Sequence, residues 1–136
     1  MTMDIFFADP DAIPLPPKEV RIQTLDAEPY ADGRRVRVRL ELTPFLKRPN
    51  ADLSILNARE EEVASASIIE TMEPKMELTL HLRGARQPGD YTLAARVFYR
   101  EEPPEEQESG LDDDPTQRPI IEVDRKQFPF NIPAEG

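Results

Sequence analysis

Cysteine and tryptophan are absent from these 136 residues, histidine occurs once and serine four times. Without cysteine there can be no disulfide framework, no thiolate nucleophile and no Cys-bound metal, and the chain suits a reducing compartment. No stretch approaches the roughly 18 apolar residues of a membrane span. The opening Met1-Thr2-Met3-Asp4-Ile5-Phe6-Phe7 has neither the basic head nor the apolar run of a secretory signal. These absences point to a cytoplasmic protein of bacterial type. Also missing are a Gly-x-Ser-x-Gly elbow, a glycine loop able to cradle phosphate, and a histidine pair at metal-ligand spacing. The expectation is therefore no enzyme, no catalytic residue and no cofactor. Two carboxylates alone can run acid–base chemistry, but 27 acidic residues give no basis for choosing a hydrolytic pair.

Charge is unevenly spread. The net charge is −10, yet residues 101–114 hold eight acids and no base, leaving 19 acids against 17 bases elsewhere. The acidity belongs to one segment. Nucleic acid and anionic membranes need clustered positive charge, so neither is expected as a partner.

Hydrophobic period carries the fold. Residues 1–17, with four prolines, read as an extended arm that Ile5, Phe6 and Phe7 lay along a domain spanning 18–133. Arg35-Val36-Arg37-Val38-Arg39-Leu40-Glu41-Leu42 alternates without error, which a strand resolves into two faces and a helix would scatter. Similar alternation marks 18–26, 52–58, 76–83 and 91–99, and a last extended segment carries Ile120, Ile121, Val123, Phe128, Phe130 and Ile132. Pro129 removes one ladder donor there and predicts an edge position or a break. Arg59-Glu60-Glu61 reads as a turn into a strand over 62–70. Residues 58–72 also suit about four turns of helix by propensity, although Ser65, Ser67, Ile68 and Ile69 favour strand. Asp32-Gly33 and Gln87-Pro88-Gly89-Asp90 supply turns.

Seven short strands with hairpin-like links predict an all-β fold, a two-sheet antiparallel sandwich with a long acidic loop (101–118) before the last strand. The stretch Pro88-Gly89-Asp90-Tyr91-Thr92-Leu93-Ala94-Ala95-Arg96-Val97 resembles the penultimate strand of immunoglobulin-like and fibronectin-III-like domains. In those families a tyrosine follows a Gly/Asp turn, and its hydroxyl bonds back across the sheet corner. The resemblance puts Tyr91 in that place and implies an immunoglobulin-like sandwich, here without the paired cysteines and core tryptophan of antibody-type domains.

Several groups could carry function. Arg35, Arg37 and Arg39, with Arg21 on the neighbouring strand, could form an anion-binding stripe. The plainer reading is a solvated face neutralised by Glu19, Glu77 and Glu41 across the strands. His81 should point outward into solvent on the same face as Glu77 and Thr79. Asp112, Asp113 and Asp114, with Glu105, Glu106 and Glu108, are candidate Ca²⁺ ligands, but consecutive aspartates diverge and Gly110 precedes them where a calcium loop needs glycine after its first ligands. A solvated acidic loop is the favoured reading. On the penultimate strand Ala94, Arg96 and Phe98 share the outer face, while Phe128, Pro129 and Phe130 put rings on both faces of the last one. Arg96, Phe98, Phe128 and Phe130 are thus the candidate partner-binding residues, unless the N-terminal arm covers them. The function expected is a non-catalytic protein-interaction module for an unknown protein partner, self-association through an edge strand included. The alternative is a Ca²⁺-binding sandwich.

Overall fold

The computed structural model describes residues 13–101 and 118–134. Seven strands follow one another: β1 (Ile22–Pro29), β2 (Arg35–Leu42), β3 (Asn50–Leu56), β4 (Glu62–Ile68), β5 (Lys75–His81), β6 (Gly89–Arg100) and β7 (Ile120–Ile132). They form two antiparallel sheets, ordered β1-β2-β5 and β4-β3-β6-β7. The alternating residues meet between them. Val36, Val38, Leu40 and Leu42 of β2 face Leu53 and Ile55 of β3 and Leu93, Ala95 and Val97 of β6 in one buried cluster. The expected seven-stranded sandwich is what the chain builds.

Residues 58–72 contain no helix. Ser54 and Asp52 of β3 lie opposite Ser65 and Ser67 of β4, while Ala64 and Ala66 turn inward opposite Ile55 and Leu53. The turn before β4 is set by Asn57, whose side-chain oxygen accepts the N–H groups of Arg59 and Glu61, each at 2.9 Å. This Asx turn ends β3 at Leu56, earlier than the 52–58 expected, and Glu60 completes it at φ 63°. At the front, Pro17–Glu19 make a 3₁₀ turn, so β1 begins at Ile22 rather than residue 18. Proline fixes φ for that turn and has no N–H to give a ladder. Leu15 nonetheless bridges Phe45, so the end of the arm does lie against the domain. Ile5, Phe6 and Phe7 fall outside the described residues.

Pairing of β4 with β3 distinguishes this sandwich from the constant-type immunoglobulin arrangement, where the fourth strand joins the first sheet. The loop 69–74 therefore crosses between sheets, tied by the Thr71 N–H to the Pro49 carbonyl (3.0 Å) and the Leu42 N–H to the Pro74 carbonyl (2.8 Å). On the other side β7 carries a bulge, since Val97 lies opposite Asp124 and Phe98 opposite Glu122. The extra residue leaves the Asp124 carboxylate able to accept the Ile22 N–H at 2.8 Å, stitching β7 to β1. Pro129 is exposed on β7, an edge strand as its chemistry demands.

Tyr91 is buried at the start of β6 and its hydroxyl donates to the Gln87 carbonyl at 2.5 Å, as the resemblance to immunoglobulin-like domains implied. Burial also pushes its phenol up from the ordinary tyrosine range. Tyr91→Phe removes the donor and is expected to lower stability by about 1 kcal/mol. The measurement is a lower urea midpoint with unchanged slope. An unchanged midpoint would show that the corner bond adds nothing.

Candidate binding face

Each sheet has an outer face, and the two differ in kind. On β1-β2-β5 the arginine stripe is neutralised across the strands. Arg35 pairs with Asp32 at 2.8 Å, Arg37 with Glu28 at 3.7 Å, and Arg39 with Asp26 at 3.9 Å and Glu77 at 3.7 Å. Tyr30 lies beneath two of them, its ring centre 4.4 Å from the Arg35 guanidinium and 5.8 Å from that of Arg37. Asp32 is held below the usual carboxylate range, first by the Arg34 N–H and then by the Arg35 side chain. Glu77 was expected here. Asp26, Glu28 and Asp32 take the parts assigned to Glu19 and Glu41, because β1 begins only at Ile22, leaving Glu19 in the 3₁₀ turn, and its register sets Asp26 and Glu28 opposite Arg39 and Arg37. Arg21 leaves the stripe altogether, donating to the carbonyls of Lys18, Val20 and Val123 at 2.9, 2.7 and 3.3 Å. His81 is exposed, as its strand position predicts.

The outer face of β4-β3-β6-β7 is built around one pair. Register places Asp52 of β3 opposite Arg96 of β6 and Ser67 of β4. Arg96 donates to one Asp52 carboxylate oxygen through Nε at 3.1 Å and Nη2 at 2.8 Å, and the Ser67 hydroxyl donates to the other at 2.9 Å. Alongside, small side chains leave a recess of about 340 Å³ lined by Ser54, Ala94, Arg96, Arg125 and Gln127. Arg125 clamps Glu122 with two 2.8 Å bonds, and that guanidinium holds the carboxylate below its ordinary range. Toward the end of the sheet lies a second cleft of about 370 Å³, lined by Arg48, Asn50, Ile69, Phe98, Tyr99 and Arg100 among others.

Phe98 is only 4% exposed although it sits on this outer face. The covering groups are arginines. The Arg96 guanidinium lies 4.9 Å and that of Arg100 5.6 Å from the ring centre, a cation–π arrangement that uses the ring as a support for both.

The four candidate partner-binding residues do not meet. Arg96 and Phe98 face outward, whereas Phe128 and Phe130 lie opposite Leu93 and Tyr91 and pack against the core. Residues two apart in a strand share a face, so both phenylalanines turn inward together and only the Pro129 ring between them points out. Phe130 stacks on Tyr91 with ring centres 5.6 Å apart. Asp112, Asp113 and Asp114 lie outside the described residues. Among the described residues no three His, Asp or Glu side chains converge as metal ligands, and no helix is long and apolar enough to cross a membrane.

No family model matches this chain, and no curated protein does. Solved structures do match it. An FMN-binding β-glucuronidase from Facaelibacterium prausnitzii L2-6 superposes with a TM-score of 0.50 and 16% identity, over 82% of this chain and 16% of its own. A glycosyl hydrolase family 2 member from Bacteroides cellulosilyticus gives 0.50 and 14%, over 83% of this chain and 15% of its own. What is shared is the fold. The chain spans about a sixth of the length of these enzymes, and at such identity the likeness carries a β-sandwich unit and no residue of a site.

Proposed function

We propose that this chain is a non-catalytic sandwich module that docks a partner protein on the outer face of β4-β3-β6-β7. The observation that carries the reading is the Asp52–Arg96–Ser67 network beside two recesses. Polar groups are fixed in position there, while Ser54 and Ala94 leave room above the sheet for another surface. Rigid donors and acceptors around open, small-residue ground lose little entropy when a partner settles on them. The opposite outer face offers no such ground, because its arginines are already matched by acids of their own sheet. A module without chemistry also accords with a chain that has no cysteine and a single, exposed histidine, and with neighbours of which it matches only a small part.

The test is site-specific photocross-linking in intact cells, with the reactive residue at Ser54 on the proposed face or at Thr79 on the other. A discrete set of adducts is expected from Ser54 and not from Thr79. Identical adducts from both positions, or none from Ser54, would overturn the assignment.

A further inference from the structure

We propose that the open edge of β4 is a homodimer interface, where a second copy of this chain adds its own β4 antiparallel across a two-fold axis at Ala66. The direction of the backbone groups sets the register. The Pro49 carbonyl accepts the Thr71 N–H, so the alternate residues Ala51, Leu53 and Ile55 of β3 also turn their amides toward β4. There they meet Ile68, Ala66 and Ala64. Ser65 and Ser67, lying between those three, turn their backbone groups away from the sheet. Both residues are exposed, and among the described residues neither has a partner for its N–H or its carbonyl on that side. The free stretch ends at Val63, whose carbonyl accepts the Arg83 N–H at 2.9 Å.

The other edge strands, β1, β5 and β7, are blunted. β7 carries Pro129 and a bulge, β5 exposes Lys75 and Glu77, and β1 is stitched to β7 through Asp124. Residues 63–69 of the β4 edge hold neither charge nor proline, which leaves a bare row of donors and acceptors of the kind that pairs with another chain. The side chains there read alike in both directions. About Ala66, Ser65 balances Ser67, so a two-fold sets each serine opposite the other serine of the second copy, and both backbone bonds of each pair close. On the inner face Ala66 meets its own copy, and Ile68 lies beside the second copy's Ala64, large against small. On the outer face Ile69, 73% exposed in the single chain, falls opposite Val63 of the second copy. The half-buried Ile68, Met76 and Leu78 at the open rim gain apolar cover at the same time. An unrelated strand would satisfy the backbone groups, whereas the chain's own β4 also matches the side chains on both sides of the axis.

Sedimentation equilibrium of the full chain from about 10 μM to about 1 mM is the test, because so short a contact belongs to the weak class of interfaces. The mean mass should climb from that of one chain toward that of two. Ser65→Pro removes a donor that the fold itself leaves unused. It should weaken the dimer about tenfold or more while the amide spectrum stays dispersed. Ser65→Lys puts a charge on the edge without altering the backbone and should act the same way, which covers a proline variant that fails to fold. Ala66→Cys reads the register. The chain has no cysteine of its own, and across a two-fold this non-hydrogen-bonded pair stands about 4.5 Å apart at Cα, within disulfide reach. Mild oxidation should give a covalent dimer, while Thr79→Cys stays uncross-linked. A mass that remains that of one chain up to about 1 mM, dimerisation untouched by both Ser65 variants, or equal cross-linking of Ala66→Cys and Thr79→Cys would each overturn the proposal. The outer face is judged separately, since a monomer whose Ser54 still captures a partner keeps that face and loses only the dimer.

Discussion

Leu53→Ala is expected to cost about 3.5–5 kcal/mol, in the upper half of the roughly 2–5 kcal/mol range for leucine truncation in a core. Leu53 is 1% exposed at the centre of β3, and its neighbours across the two flanking strands are both alanines, Ala66 on β4 and Ala95 on β6. A truncated leucine is least costly where large neighbours can lean into the space. Here the flanking side chains have nothing to lean with, and the backbones of three hydrogen-bonded strands cannot close up. The cavity therefore persists, and its walls lose their dispersion contacts outright. Set against a typical total of about 5–15 kcal/mol, the change removes a large share of stability. Leu56→Ala supplies the internal comparison. Leu56 belongs to the same strand but is only half-buried, and the same truncation there should cost about 1 kcal/mol or less. Urea unfolding of the two variants measures the contrast. Equal losses would mean that the sheets do not stack through the Leu53 side of β3.

Much of the sandwich was legible because its strands have one dry face and one wet one. The alternation over residues 35–42 identified the central strand of its sheet, and Tyr91 announced the corner that begins β6. Where legibility failed, the missing information was three-dimensional. The period of β4 reveals two faces but not which sheet it joins, so the loop 69–74 and the open β4 edge could not be foreseen. Asp52 passed unnoticed as one acid among 27, since only register brings it opposite Arg96 and Ser67. Arg48 and Asn50 likewise gain meaning only when the start of β3 meets the end of β6. The phenylalanines were different. Phe128 and Phe130 are two residues apart, and that spacing alone tells that they share a face. Opposite Leu93 and Tyr91 that face packs against the core, where both rings are partly buried.

The outer face of β4-β3-β6-β7 and the core are joined at Tyr99, and this predicts a loss of stability at alkaline pH. Tyr99 is buried, is among the residues lining the cleft, and donates its hydroxyl to the Lys47 carbonyl at 2.8 Å. Burial pushes the phenol up to about 12, while an unfolded tyrosine titrates near about 10. Between those values the unfolded chain has released a proton that the native chain still holds, so stability falls as pH rises. The contribution is fully present below about pH 10 and lost by about pH 12, on the order of 2 kcal/mol in all. Tyr99→Phe deletes the titration and leaves the Lys47 carbonyl without its donor. It should therefore be less stable than the parent by about 1 kcal/mol at neutral pH, yet lose less on going to high pH. Other groups titrating in that window, Tyr91 included, are common to both proteins and cancel in the difference. Stability curves of parent and variant that run parallel from about pH 9 to about pH 12 would show that the phenol is not shielded from water.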